Sequence, residues 1–272
     1  MNPTISVVMP AYNEAHLIIA NLMETAETLS SFEYDYEIIV VDDGSPDKTY
    51  LHAARLLTSH PERVRVVRYD KNAGKGNALM CGAQFARGDY VVFLDADMDL
   101  HPSQLPTFFG IMEAQACDVV IGSKRHVLSN VNYPWQRRLY SCVYYGLVRA
   151  LFGLPVKDTQ TGLKLFRREV IDRVFPRILC KRFAFDLEVL VNANRLGYRI
   201  ESAPVTLRFQ RAYGRINFRD VKDMLLDTLA IFYRVSTRYY DRISIDDSVQ
   251  WHITAREVSH SDPEVVAAVV VQ

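Results

Sequence analysis

Tyr90-Val-Val-Phe-Leu-Asp-Ala-Asp-Met-Asp99 is an apolar run that ends abruptly in three alternating aspartates. Continuous β-branched and aromatic runs of this length suit a strand buried on both faces. Four other runs share the character: Ile5-Ser-Val-Val-Met9, Tyr36-Glu-Ile-Ile-Val-Val41, Val64-Arg-Val-Val67 and Asp118-Val-Val-Ile121. Helical stretches separate them. Ile18, Leu22, Ala26 and Leu29 recur at steps of three or four and so share one helical face. A second helix is expected from Pro46-Asp47 and a third after Gly74. Strand–helix alternation of this kind predicts an α/β fold: an open, mainly parallel, doubly wound sheet with helices on both faces. Ligands of such sheets sit beyond the carboxyl ends of the strands, so the polar residues that follow each strand are the ones to inspect.

From about Tyr133 the pattern changes. Tyr133 to Phe152 reads as an aromatic-rich helix headed by Pro134, with Arg137-Arg138 in its first turns. A strand is expected at Leu163 to Phe166, helices at Arg168 to Phe175 and Asp186 to Leu196, and a strand at Ala203 to Phe209. Asn217 to Tyr240 reads as a long helix. Ser244 to Gln272 is left as a tail or a strand pair.

Of 272 residues, 32 are Lys or Arg and 32 are Asp or Glu, so the net charge is zero. The balance is uneven along the chain: Ile121 to Lys222 holds 20 basic against 7 acidic residues, and the remainder holds 12 against 25. One half is thus suited to a metal and the other to anionic material. Cys81, Cys117, Cys142 and Cys180 show no ligand-like spacing, which argues for a reducing compartment and against a disulfide framework. Asn2 to Met9 has no basic flank, so no signal peptide is expected. No apolar stretch approaches the ~18 residues of a membrane span.

Three strand ends carry polar clusters: Pro10-Ala-Tyr-Asn-Glu14, Asp42-Asp-Gly-Ser45 and Asp95-Ala-Asp-Met-Asp99. Alternate residues of an extended segment point the same way, so Asp95, Asp97 and Asp99 are expected to aim carboxylates at one point. Carboxylates beside phosphate are the usual means of holding Mg²⁺ or Mn²⁺.

Together, Ile5 to Glu14 (I-S-V-V-M-P-A-Y-N-E), Glu37 to Ser45 (E-I-I-V-V-D-D-G-S), Asn72 to Ala78 (N-A-G-K-G-N-A) and Phe93 to Asp97 (F-L-D-A-D) resemble the family 2 glycosyltransferases of the GT-A fold. Asp158-Thr-Gln-Thr-Gly-Leu-Lys-Leu-Phe166 and Phe183-Ala-Phe-Asp-Leu-Glu188 extend the likeness to dolichyl- and polyprenyl-phosphate sugar synthases, more the glucosyl than the mannosyl branch. The resemblance implies that Pro10, Tyr12 and Glu14 line a nucleoside pocket and that Asp43 accepts a hydrogen bond from the base. It places Lys75 beside the nucleotide and has Asp95 and Asp97 hold the sugar nucleotide and its cation. Asp42 is expected to be a structural partner of its loop, and Asp99 stands where many relatives have glutamine.

The implied reaction is an inverting, metal-dependent transfer of a sugar from a donor of the UDP-glucose or GDP-mannose type to a polyprenyl or dolichyl phosphate. A phosphate oxygen is already ionised near neutral pH, whereas an alcohol acceptor needs a base, for which Asp186 and Glu188 are the candidates. Arg125, Arg138 and Arg211 are the expected acceptor-phosphate ligands, since arginine forks suit phosphate oxygens. Relatives often carry Gly-Ser-Lys where this chain has Gly214-Arg-Ile-Asn217. The expected organisation is a catalytic domain over 1–243, with a nucleotide half (1–122) and an acceptor half (123–243), then a tail over 244–272. The expected location is cytoplasmic, peripheral to the cytoplasmic face of a membrane.

Other classes fit less well. A sugar-nucleotide-binding protein without turnover would usually lose a metal carboxylate, and a nucleotidyltransferase would open with a glycine-rich, basic loop rather than Pro10-Ala-Tyr-Asn-Glu14. Nucleic-acid binding lacks a recognisable module, and the acidic half would repel the backbone. A processive synthase needs membrane spans. Transfer to a sugar or other hydroxyl acceptor is the nearest alternative.

Overall fold

The computed structural model describes residues 5–59, 62–130, 135–182, 184–208, 218–243, 255–258 and 262, with backbone alone at 58–59, 135–140 and 218–220. In chain order the elements are β1 (Ile5–Ala11), α1 (Ile18–Ser30), β2 (Tyr36–Asp42), α2 (Thr49–Ser59), β3 (Val64–Arg68), α3 (Lys75–Phe85), β4 (Tyr90–Phe93) and α4 (Leu105–Ala114). They continue with β5 (Val119–Ser123), α5 (Trp135–Phe152), β6 (Lys164–Arg167), α6 (Arg168–Val174), α7 (Phe185–Arg195), β7 (Ile200–Pro204), α8 (Phe218–Ser236) and β8 (Arg256–Glu257). The chain divides into two compact units, Met1–Ser103 with Trp251–Gln272, and Gln104–Gln250.

In the first unit β1 lies between β2 and β4, parallel to both; β3 follows β2 in parallel, and β8 closes the far edge antiparallel to β3. Every residue of β2 is buried, as its unbroken apolar run requires. Two polar residues near the starts of β1 and β2 are satisfied locally. Ser6 Oγ donates to Glu37 Oε1 at 2.7 Å, and the amides of Arg87 and Gly88 reach Glu37 Oε1 and Ser6 Oγ, each at 2.7 Å. α1 buries the expected face of Ile18, Leu22, Ala26 and Leu29. α3 packs close enough that a Cβ on Gly82 would stand 2.4 Å from Val8 Cγ1 and 2.9 Å from Val41 Cγ2.

In the second unit β5 pairs in parallel with β7 and antiparallel with β6. α7 is buried from Phe185 through Ala193, the pattern of a central helix rather than a surface one. β7 starts earlier than its apolar sequence suggests. The Arg199 carbonyl accepts from the amides of Asp118 and Val119 and sets the register, and Pro204, which has no N–H, ends the strand. α4 was not legible from the strand–helix punctuation. It carries a proline in its first turn and buries Leu105, Phe108, Phe109 and Met112 at helical spacing. Among the described residues no helix is long and apolar enough to cross a membrane.

Two glycines test this packing in opposite directions. A Cβ on Gly88 would lie 2.8 Å from the Ser6 backbone nitrogen, whereas one on Gly110 of α4 would meet nothing within 4 Å. Gly88→Ala is expected to lower unfolding stability by about 1–3 kcal/mol. Gly110→Ala should raise it by about 0.5–1 kcal/mol. Urea titration of both variants measures the two shifts.

Candidate functional site

The parallel register brings three strand ends to one edge of the first unit: Ala11 is opposite Asp42, Val8 is opposite Phe93, and the Leu94 amide donates to the Val8 carbonyl at 3.1 Å. Pro10 to Glu14, Asp42 to Ser45 and Asp95 to Asp99 therefore leave the sheet side by side. The first loop is pinned through its backbone. Asn13 takes a φ of +62°, its amide donates to Ser45 Oγ at 3.0 Å, and the Glu14 amide donates to Thr49 Oγ1 at 2.8 Å. Tyr12 is left exposed while Glu14 is buried.

Asp43 is the knot of the second loop. Its carboxylate accepts from the Ala73 amide at 2.7 Å, the Gly74 amide at 3.0 Å and the Asn72 side chain at 3.0 Å. The glycines are obligatory there: Gly44 and Gly74 have φ of +65° and +98°, and a Cβ on Gly44 would lie 2.6 Å from the Asn72 nitrogen. Asp43 thus shapes the turn that presents Lys75. Asp42 has its expected framework part. It is wholly enclosed with Arg68 Nε at 3.3 Å, and burial pushes its carboxyl up to about 6.

The acidic loop departs from the extended form that sequence alternation suggests. Met98 takes a φ of +57° and its amide donates to the Asp95 carbonyl at 3.2 Å, so the segment turns after Asp95. The three carboxylates still feel one another: burial first, then Asp95 and Asp99, push Asp97 up to about 6. Asp95 Oδ1 lies 2.6 Å from Lys75 Nζ. Among the described residues no group of three or more His, Cys, Asp or Glu side chains could hold a metal ion. A ready three-carboxylate cage at Asp95, Asp97 and Asp99 is therefore not formed. The donor chemistry nevertheless fits a hard cation of the kind held by one or two carboxylates plus phosphate and water oxygens, because mutual repulsion at Asp97 is what such a charge relieves. Sequence reasoning missed the residues that fix this loop from α1: Asn21 Nδ2 donates to the Ala96 carbonyl at 2.7 Å and Thr25 Oγ1 to Met98 Sδ at 3.4 Å.

In the second unit Arg125, Asp186 and Glu188, expected to meet an acceptor, each contact other residues of the protein. Arg125 Nε donates to Ser141 Oγ at 3.2 Å, and its guanidinium lies 5.0 Å from the Tyr145 ring centre. Arg138 is in α5 with its side chain outside the described residues, and Arg211 is wholly outside them. Asp186 Oδ1 lies 2.9 Å from Lys164 Nζ, and that lysine, itself 1% exposed, also donates to the Thr161 carbonyl. Lys164 belongs to the 158–166 motif, but its sequence offers no sign of burial.

Glu188 is fully enclosed and accepts from the amides of Leu179 (2.8 Å) and Cys180 (2.6 Å), from Tyr240 Oη (2.5 Å) and from Arg234 (3.1 Å). With both oxygens so engaged and no exposed surface, Glu188 joins α7 to the segment that follows α8, a framework part rather than that of a proton acceptor. The helix-head position expected from the sequence is correct. The surroundings, supplied by residues up to 52 positions away, were not visible there.

The chain matches the model described as glycosyl transferase family 2 over residues 6–175 and belongs to that family. It is 33% identical over 220 residues to a dolichyl-phosphate beta-glucosyltransferase of Dictyostelium discoideum, covering 75% of this chain and 66% of that protein. It is 31% identical over 220 residues to the Saccharomyces cerevisiae protein of the same name, covering 74% and 66%. The chain thus spans just under two thirds of the length of these relatives. Among solved structures, glucosyl-3-phosphoglycerate synthase from Mycobacterium tuberculosis, in complex with Mn²⁺, UDP-Glc and phosphoglyceric acid, superposes with a TM-score of 0.62 at 23% identity, covering 94% of this chain and 86% of that one. The shared architecture is the GT-A arrangement of an α/β fold with a mostly parallel sheet.

The raised Asp42 carboxyl has a signed consequence. A folded-state value of about 6 against an ordinary 3.8 means that the folded protein prefers the acid form. The contribution of Asp42 to stability is therefore full below about pH 4 and is lost as pH rises through about 6. Asp42→Asn should gain roughly 1–3 kcal/mol over the wild type at pH 7.5 and nothing at pH 4. Guanidinium unfolding at the two pH values reads the difference; equal effects at both would remove the assigned cause.

Proposed function

We propose that the protein transfers glucose, with inversion, from UDP-glucose to a polyprenyl or dolichyl phosphate at a membrane surface. The donor part is supported by the first unit, where the Asp43-held glycine turn sets Lys75 against Asp95 beside a crowded Asp97. Pro10, Tyr12 and Glu14 line the nucleoside side of that edge, and Lys75 answers diphosphate charge. A divalent cation, Mg²⁺ or Mn²⁺, held by Asp95 and Asp97 would offset the charge gathering on the departing diphosphate. Glucose and a lipid phosphate are favoured by the names of the two relatives.

The acceptor reading is supported by one observation: of the two carboxylates proposed as a base, Glu188 is wholly enclosed and Asp186 is ion-paired through Oδ1. Asp186 is committed to Lys164 and Glu188 to four donors. A phosphate monoester needs no base. One of its ionised oxygens forms the new bond to the anomeric carbon, the old bond to the nucleotide's β-phosphate oxygen breaks, and the electron pair leaves with UDP. Arg125, Arg138 and Arg211 are assigned to the acceptor phosphate, and the cytoplasmic face of a membrane to the location.

Incubation with Mg²⁺, labelled UDP-glucose or GDP-mannose and a short-chain polyprenyl phosphate should move label into the lipid phase from UDP-glucose, and a chelator should abolish it. Label transferred only to hydroxyl acceptors would overturn the reading. Asp97→Asn is expected to lower turnover by at least about a hundredfold, the scale on which a group that stabilises developing charge contributes.

A further inference from the structure

Surface helices of folded proteins turn their polar face outward. α8 does the reverse. Thr228 and Ile231 are fully enclosed, while Val221, Leu225, Leu226, Leu229, Phe232 and Tyr233 are all exposed. At 3.6 residues per turn these six fall within roughly 140° of arc. Among the other residues whose side chains are described, only Lys222 and Ser236 share that arc, and Asp223 and Asp227 stand on the far flank.

The patch does not end with α8. Phe152 and Phe232 meet edge to face at 6.1 Å, and Tyr144 Oη lies 3.2 Å from Thr228 Oγ1, so α5 adjoins α8. α5 in turn receives the loop after β5 through Arg125, at Ser141 and Tyr145. In that loop Val127 and Leu128 are 89% and 76% exposed, directly after Lys124, Arg125 and His126. Val143 of α5 is also exposed. An apolar pair at the tip of a basic loop, beside an apolar helix face, has no packing partner among the described residues. Patches of this size mark an interaction surface.

Charge decides between the occupants. Lys124 and Arg125 directly precede the Val127-Leu128 tip, and Lys222 stands on the apolar arc of α8. A second copy docking by the same face would bring two such surfaces together and meet like-charge repulsion. An anionic lipid surface is complementary. Tyr233 and Tyr239, exposed with an apolar ring and a polar tip, suit the headgroup level. An amphipathic helix that carries a lysine on its apolar arc lies in that layer without crossing it.

We infer that the outward face of α8 and the Val127-Leu128 tip form one docking surface for an anionic lipid bilayer. The inference deepens the lipid-phosphate reading and rests on it, because such an acceptor presents its phosphate at the headgroup level.

Cosedimentation of the full chain with mixed phosphatidylcholine–phosphatidylglycerol vesicles and with phosphatidylcholine vesicles tests it, without donor or acceptor. The wild type should bind the anionic vesicles strongly and the neutral ones weakly. The double variants V127S/L128S and L226E/Y233E should each weaken anionic binding at least about tenfold, with unchanged thermal transitions because all four side chains face solvent. Both variants should keep turnover within about twofold on a water-soluble short-chain prenyl phosphate and lose it on a long-chain acceptor embedded in vesicles. A wild type that stays in the supernatant overturns the docking surface while leaving transfer to prenyl phosphate standing. Vesicle binding lost in the variants, with no wild-type transfer to any prenyl phosphate, upholds the surface and fails the acceptor instead. Variants that bind vesicles as the wild type does, but convert a sedimenting dimer to a monomer, overturn it in favour of a contact between copies.

Discussion

The Asp43 carboxylate accepts hydrogen bonds from two consecutive backbone amides and from the Asn72 side chain, and through them the end of β2 is tied to the start of α3. Backbone amides aimed into a small volume need an acceptor, and a buried carboxylate needs donors. Each satisfies the other here, at the edge where the parallel strands stop. The glycines follow from that constraint. The turn must fold back tightly enough to reach Asp43, and Gly44 and Gly74 take left-handed conformations that a side chain would oppose. Lys75 then begins its helix with its ammonium at Asp95. The geometry of the donor edge descends from one carboxylate.

The second unit is organised on a comparable principle with a different outcome. Glu188 collects two amides, a phenol and a guanidinium around a wholly enclosed carboxylate. Burying a charge is costly unless it is paired and hydrogen-bonded, and all of its partners come from outside its own helix. Burial and Glu188 together push the Tyr240 phenol far up, so it stays a donor at ordinary pH. Lys164 and Asp186 repeat the device close by. Acidic residues that read as chemistry in one dimension are thus divided by their surroundings. Asp95 and Asp97 remain partly open at a loop, and Glu188 is sealed in.

Asp42 and Asp97, both pushed up to about 6, mark where the fold carries charge at a cost. The cause at Asp42 is burial beside one arginine. At Asp97 burial is joined by two neighbouring aspartates. Groups perturbed by desolvation plus like charges concentrate at functional sites. The second case, with Lys75 and two further carboxylates beside it, has the character of a functional site, the first that of a strut.

Strand class, parallel connection and the three polar strand ends could be read directly from Ile5 to Asp99, because buried strands and helix faces impose periodicities that survive in one dimension. The family was legible for the same reason: its motifs are short, local and lie at turns. What the sequence could not carry was the part that depends on distant partners. Whether Asp95, Asp97 and Asp99 point together depended on a turn at Met98, held from α1 by Asn21 and Thr25. Whether Glu188 faces solvent or the interior depended on Leu179, Cys180, Arg234 and Tyr240. The sequence alone determined which residues lie at strand ends, since backbone period sets that locally. The tertiary structure decided which of them stay partly exposed and which are enclosed, because burial and pairing are set by neighbours remote along the chain.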